Sequence, residues 1–265
     1  ARLDAEGITP SLIADFQDFV FSFYESCGRH DMEWRHTTDP YLITVSEIML
    51  QQTQVPRVAE IFPRFIELFP TAESLADAAD AEVLSAWQGM GYNRRALYLK
   101  KLCRMVTDEL GGVFPATPAE LEKLRGIGKA TSCSISAFAY NAPVVFIETN
   151  IRRVFIHFFF RGCETVDDAE IFPLVEAMLP AGRSREWYWA LMDLGTEMKK
   201  AVGNPNRKSR QYVKQSKFEG SHRQVRGAVL KEMLKRGSSS VEEVSAAVGF
   251  PAESVSLVLA EMEKE

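Results

Sequence analysis

Two stretches combine residue types and spacing suited to chemistry on an anionic ligand. In Leu121-Glu122-Lys123-Leu124-Arg125-Gly126-Ile127-Gly128-Lys129-Ala130-Thr131, two apolar helical patterns meet at Gly-Ile-Gly, flanked by basic Arg125 and Lys129. Glycines at such a junction let the backbone turn tightly and approach a phosphate, while the next helix points its first amide hydrogens at the anion. The stretch reads as a helix-hairpin-helix that grips a phosphate backbone without reading bases. The plainer alternative is a helix C-cap glycine followed by an unrelated turn.

Further along, Val145-Phe146-Ile147-Glu148-Thr149-Asn150-Ile151-Arg152-Arg153-Val154 sets a carboxylate between an apolar segment and a basic helix. An acid in that position can stabilise a sugar cation of oxocarbenium character, or steer water toward an anomeric carbon. It can equally be a charge in the helix N-cap region.

The elements that must position these residues are helical. Ile13, Phe16, Phe19, Val20 and Phe23 recur mostly at spacings of three and four, which predicts a helix over 10–27. Similar stripes predict helices over 40–52, 55–69, 80–88, 94–110, 118–124 and 129–140, with Pro70, Gly89, Gly91, Gly111, Gly112 and Pro115 in the breaks. Only 143–147 reads as extended, and it is too short to found a sheet. Helical patterns continue over 151–160, 167–179 and 184–200. The fold class is all-α, in two helical lobes.

After residue 202 the character changes. Residues 203–223 are polar and basic, as in a linker or extended arm. Three short helical patterns follow at 224–235, 240–248 and 252–264, resembling a helix-turn-helix or winged-helix module. Such a trihelical unit serves DNA or protein contacts alike.

The formal charge of −5 hides a strong asymmetry. Between Lys199 and Lys231, ten basic residues stand against the single acid Glu219, a local charge of +9 that leaves −14 elsewhere. So basic a stretch can bind phosphates by counterion release even on an acidic chain, although it also suits a solvated face. Cys27, Cys103, Cys133 and Cys163 stand at least 30 positions apart, without the close pairs that structural zinc or an iron–sulfur cluster needs. His30 and His36 have no third ligand in register, and His157 and His222 are scattered, so no metal is expected. Tyr98, Trp187, Tyr188, Trp189 and the run Phe158 to Phe160 read as packing residues. No apolar run has the length of a membrane span, and ARLDAEGITP lacks the order of a signal peptide. The chain is expected inside the cell, in the cytoplasm at the nucleoid if it is bacterial or archaeal, as a monomer.

A series of further motifs carries a resemblance. Trp34-Arg35, Pro40-Tyr41, Ser46-Glu47-Ile48-Met49-Leu50-Gln51-Gln52-Thr53-Gln54-Val55, Trp87-Gln88-Gly89-Met90-Gly91-Tyr92-Asn93-Arg94-Arg95-Ala96, the hairpin, Glu148-Thr149-Asn150 and Met192-Asp193-Leu194-Gly195 occur in order. The chain resembles the helix-hairpin-helix (HhH-GPD) base-excision DNA glycosylases, and within them the MutY-type adenine glycosylases, over roughly residues 23–200.

The resemblance implies a six-helix barrel with the hairpin over 35–147 and a second lobe from 1–34 and 148–202. It implies that double-stranded DNA carrying a lesion or mismatch is the partner and that a base, adenine opposite 8-oxoguanine or guanine, is turned out and hydrolysed from its sugar. Glu47 matches the general acid that protonates the departing base. Glu148 occupies the place of the catalytic aspartate, and Asn150 that of the asparagine orienting it. Gln51 and Gln52 match positions entering the opened duplex, and Tyr92 an aromatic wedge. Arg94, Arg125, Gly126, Gly128 and Lys129 are expected at phosphates, and a potassium or sodium ion at the hairpin carbonyls is compatible with the family.

Three departures shape the expectation. Glutamate replaces aspartate at 148, and its extra methylene moves the carboxylate by about 1 Å, a displacement large enough to retune a rate. Lyase relatives place a lysine where this chain has Ala130, which implies a monofunctional hydrolase. The family's four-cysteine loop after Gly195 is replaced by Thr196-Glu197-Met198-Lys199-Lys200, so no 4Fe-4S cluster is expected, and the basic segment with Arg207 and Lys208 is expected to contact DNA instead. The family's C-terminal domain for the partner base has no evident counterpart in 224–265. Excision of a mismatched thymine or uracil, or of another lesion, and a catalytically silent DNA-binding protein of the same fold stand as alternatives.

Overall fold

The structure, a computed structural model, describes residues 7–214 and 217–263. Among them the chain is all-α, with a single isolated bridge between Val166 and Ser209 as its one extended pairing. The final residue of the expected 252–264 helix and part of the expected 203–223 arm lie outside the described residues.

The chain folds as two compact units, and each coheres for its own reasons. The first comprises 1–47, 115–123 and 127–213. In it α1 (Pro10–Cys27) starts on Thr9, whose hydroxyl accepts from the Leu12 amide at 3.2 Å, and on Pro10. Its buried stripe of Phe16, Val20, Phe21 and Tyr24 packs on α9 (Thr149–Phe159) and α11 (Ser184–Ala201). Phe16 sits edge-on to Phe155 at 5.7 Å and to Trp187 at 6.0 Å between ring centres. α10 (Asp168–Ala177) begins on a capping box between Asp167 and Glu170 and lies against α9. Phe158 and Phe159 are only half-buried, closing the end of α9 against Phe16 and Phe19.

Residues 203–210 are not the extended arm that their polarity suggests. A 3-10 turn over Pro205–Lys208 docks on α9: buried Asn206 donates to the Thr149 carbonyl at 2.8 Å, and Val166 exchanges backbone bonds with Lys208 and Arg210 across the bridge. Here the buried asparagine amide and the Val166 bridge outweigh local composition.

The second unit comprises 48–114, 124–126 and 214–265. α3 (Val55–Leu68) buries Val58, Ile61, Phe62 and Phe65, and α4 (Ala72–Asp77) and α5 (Asp80–Ala86) pack on α6 (Arg94–Glu109), which buries Leu99, Leu102, Cys103 and Val106. The same unit holds α12 (His222–Arg236), α13 (Val241–Val248) and α14 (Ala252–Glu263) around Val225, Val229, Val244, Val255 and Val258. α12 also touches α5. These unit boundaries fall elsewhere than the lobes expected at 35–147 and at 1–34 with 148–202. The division runs inside α2 (Pro40–Leu50), just after Glu47, and puts the C-terminal module with residues 48–114.

Candidate active site

Glu47 and Glu148 come together within the first unit. Glu47 stands three residues from the end of α2, whose neighbours Ser46, Ile48 and Met49 are buried. Glu148 is the residue before α9, and its carbonyl starts that helix by accepting from Arg152 at 2.8 Å. It is the N-cap residue, where the plainer alternative puts a charge, although its side chain makes no capping hydrogen bond.

Both carboxyls keep some exposed surface yet are closely surrounded by protein. Burial, reinforced by the charge of Glu148, pushes Glu47 up to about 8, against the weaker pull of Ser134 and Arg35. Burial also raises Glu148, but Arg152 draws it back down. Two carboxyls raised by burial and set side by side titrate as a pair, with Glu47 pushed well above the ordinary carboxylate range. The Ser134 hydroxyl donates to the Thr131 carbonyl at 3.1 Å. The same hydroxyl also reaches Glu47 and opposes the rise of its carboxyl.

Around this pair the first unit is rigidly braced. Asp193, 2% exposed, takes both guanidinium nitrogens of Arg35 at 2.8 and 2.9 Å, and the backbone amide and side chain of Arg29. Burial alone would raise its carboxyl, but the two arginines carry it below its usual range. Asn150 accepts from Arg153 at 2.6 Å and has its amide 4.0 Å from the Met192 sulfur. Gly195 lets α11 lie against α9 here, since a Cβ would fall 2.4 Å from the Asn150 carbonyl oxygen. Arg152 forks onto Asp168 at 2.6 and 2.5 Å. Asp193 and Gly195 thus serve as braces, which their motif did not reveal.

The hairpin is shorter than expected. Its first helix, predicted over 118–124, is one turn, α7 (Pro118–Leu121), and its second is α8 (Lys129–Tyr140). Leu121, Leu124 and Ile127 are buried, whereas Arg125, Gly126, Gly128, Lys129 and Ala130 are exposed. Gly126 needs its glycine, with φ at +87° and a Cβ that would meet Tyr98 at 3.0 Å. Gly128 lies at φ −102°, a conformation open to any residue. Tyr98, expected as packing, supports the turn, and the Arg125 guanidinium lies over its ring at 5.1 Å.

In the second unit Gln52 and Tyr92 are non-glycine residues at positive φ, +54° and +49°. Both turns are tied by Arg95, a residue to which its motif gave no role. It donates to the carbonyls of Ile48, Met49 and Gln51 at 2.7, 3.0 and 2.5 Å, and to Thr53 Oγ1 and the Met90 and Gly91 carbonyls at 3.0, 3.3 and 3.0 Å. Burial lowers this guanidinium to about 10. Tyr92 is 40% exposed, and Arg94 beside it is exposed too.

Of the two basic positions expected on the arm, Arg207 is exposed. Lys208 instead donates to the Arg161 carbonyl at 2.8 Å, and nearby Arg210 lies 3.8 Å from Asp167. Among the described residues no group of three or more His, Cys, Asp or Glu side chains is arranged to hold a metal ion. No single helix there is long and apolar enough to cross a membrane.

An all-α hairpin fold with a paired acid and carboxylate defines a class, and comparison with known proteins agrees. The family model described as HhH-GPD superfamily base excision DNA repair protein matches residues 45–171. The chain is 32% identical over 181 residues to the adenine DNA glycosylase of Buchnera aphidicola subsp. Baizongia pistaciae, covering 68% of this chain and 52% of that one. It is 37% identical over 178 residues to the adenine DNA glycosylase of Mycolicibacterium smegmatis, covering 66% and 60%. The structure of a thermostable thymine-DNA glycosylase superposes with a TM-score of 0.66 at 27% identity, over 74% of this chain and 91% of that one. The chain is similar to the HhH-GPD superfamily and, within it, to the MutY-type members. It spans only a little over half the length of these curated relatives.

Proposed function

We propose that the protein is a monofunctional DNA glycosylase of base excision repair, acting on adenine opposite 8-oxoguanine or guanine in double-stranded DNA. The observation that carries this reading is the buried pairing of Glu47 with Glu148, in which burial and the neighbouring acid push Glu47 up to about 8. A purine leaves poorly as an anion, so Glu47 donates its proton to a ring nitrogen as the glycosidic C–N bond breaks. The bonding pair departs with the base and leaves a sugar of oxocarbenium character, which ionised Glu148 stabilises. Water then bonds to the anomeric carbon, and Glu148 accepts its proton. Asn150 belongs to the same site. Ala130 offers no amine for a Schiff base, so hydrolysis ends at the abasic site.

Arg125, Gly126, Gly128 and Lys129 take backbone phosphates, and Gln51, Gln52, Tyr92 and Arg94 enter or flank the opened stack. Arg207 adds a phosphate contact. Lys208, engaged by carbonyls, is a weaker partner than its sequence suggests. Removal of a mismatched thymine or uracil is the second reading, favoured by the extent of the match to the thymine-DNA glycosylase structure. The protonated Glu47 argues for the purine, because pyrimidine leaving groups have less need of an acid.

Duplexes carrying single lesions or mismatches, incubated with the protein and then with alkali, test the proposal. Strand breaks are expected where adenine faces 8-oxoguanine or guanine, and none before alkali. Breaks only at mismatched thymine or uracil would transfer the assignment to the second reading, and none at any site would leave a DNA-binding protein.

A further inference from the structure

Glu148 stands at the start of α9, and a side chain that holds this start from outside the helix comes from far along the chain. Asn206 is 3% exposed, and its amide donates at 2.8 Å to the carbonyl of Thr149, the residue directly after Glu148 and 57 positions before Asn206. The turn that presents the amide is itself built. Asn204 accepts from the Asn206 backbone amide at 3.3 Å, Pro205 fixes the first position, and the Ser209 backbone amide donates to the Asn206 carbonyl at 3.0 Å.

A buried amide carries a desolvation cost that only its hydrogen bonds recover. The Asn206 side chain recovers it through the Thr149 carbonyl alone, because its Oδ1 is buried without a partner. Leucine would serve packing as well, so the donor points to a positional role.

Residues 203–210 grip α9 at both ends. Lys208 donates to the Arg161 carbonyl at 2.8 Å, just beyond the helix, where a cation meets the negative end of the helix dipole. The segment also pairs with Val166, which donates to the Lys208 carbonyl at 2.8 Å and accepts from Arg210 at 3.0 Å. Two residues after Val166, Asp168 receives the fork of Arg152, the cation that draws Glu148 down. One short segment thus fixes both the backbone beside Glu148 and the footing of its charged neighbour.

We propose that residues 203–210 form a strap that sets the position of the Glu148 carboxylate, with Asn206 as the positioning residue. Asn206 has too little surface to meet a substrate, so its effect passes through the Thr149 carbonyl and the first turn of α9. The kinetic consequence rests on the glycosylase reading, whereas the state of the carboxyl pair tests the strap separately.

The experiment uses Asn206→Leu, which keeps the volume and removes the donor. It measures single-turnover excision of adenine opposite 8-oxoguanine, affinity for the same duplex carrying hydrolysis-resistant 2′-fluoro-adenosine, and a ¹³C carboxyl titration of Glu47 and Glu148. The rate constant is expected to fall about tenfold while affinity stays within about twofold, since a displaced carboxylate loses chemistry rather than binding. In the Glu148→Gln background the same substitution is expected to cost less than about twofold, which a merely structural residue would not show. The Glu47 midpoint is expected to leave its native value as its neighbour shifts. Asn204→Ala weakens the turn without touching α9, and a smaller loss of rate in the same direction is expected.

Native rate and midpoints in a folded Asn206→Leu or, should that variant not fold, in Asn204→Ala would overturn the proposal. An undiminished loss in the Glu148→Gln background would overturn it too. If the native chain cleaves no duplex while the midpoints move as expected, the glycosylase reading fails and the strap stands. Cleavage by the native chain, with rates and midpoints that the variants leave untouched, removes the strap alone.

Discussion

Two regions of the first unit hold acids surrounded by protein and treat them in opposite ways. Asp193 is met by two arginines and a backbone amide, and its carboxyl is held below its usual range. Burial, reinforced by the charge of Glu148, drives Glu47 up to about 8 against the pull of a serine hydroxyl. The difference lies in partners rather than depth. A paired carboxylate fixes structure, whereas one buried near another acid becomes a proton donor near neutral pH.

Substituting the reacting groups should separate the two regions most widely. Glu47→Gln and Glu148→Gln are each expected to lower single-turnover excision by about 10²- to 10⁴-fold, with melting temperatures close to native. Asp193→Asn should behave in the reverse sense, because removing one partner leaves Arg29 and Arg35 facing no charge. A loss of about 3–5 kcal/mol is expected in denaturant unfolding. Equal stability losses in Glu47→Gln and Asp193→Asn would erase the distinction.

Stability against pH draws the contrast more finely. Glu47 holds its proton in the folded chain to about 8 but loses it near 4.5 when unfolded, so the folded state binds the extra proton between those values. Its contribution is complete below about 4.5 and is lost as pH rises through about 8, at no more than ~1.4 kcal/mol per pH unit. Glu47→Gln should flatten that decline. Asp193 has the opposite sign: its stabilisation is present above its ordinary range and disappears as acid protonates it. The smallest expected effect is that of Glu148→Asp, which withdraws the carboxylate by about 1 Å and should change the excision rate by about tenfold, upward if the family spacing is the better one. A rate within a factor of two would show that the site tolerates either length.

The helical class was legible because long apolar stripes repeat through the chain, and the turn at Gly126 because a glycine between such stripes with flanking cations has few readings. Glu148 was singled out by its place between an apolar segment and a basic helix, while Glu47 required the ordered motifs of a family. What escaped was tertiary. Arg95 reads as one basic residue among several on α6, and nothing local tells that it gathers carbonyls more than forty residues away. The role of Asp193 depends on arginines about 160 residues earlier. Segment 203–210 looked like an arm because composition reports solubility, whereas Asn206 and the Val166 bridge decide where it docks. The contact between Arg223 and Tyr92 likewise has no sequence signal.

The proposed role of Glu47 as the acid for a departing base requires that it keep its proton near neutral pH, and a carboxyl NMR titration with ¹³C-labelled glutamate reads this directly, Glu47→Gln supplying the assignment. The expected result is a Glu47 midpoint near 8 that moves toward the ordinary glutamate value in Glu148→Gln. A midpoint in the usual range of about 4–5 in the native chain, unmoved by Glu148→Gln, would contradict it.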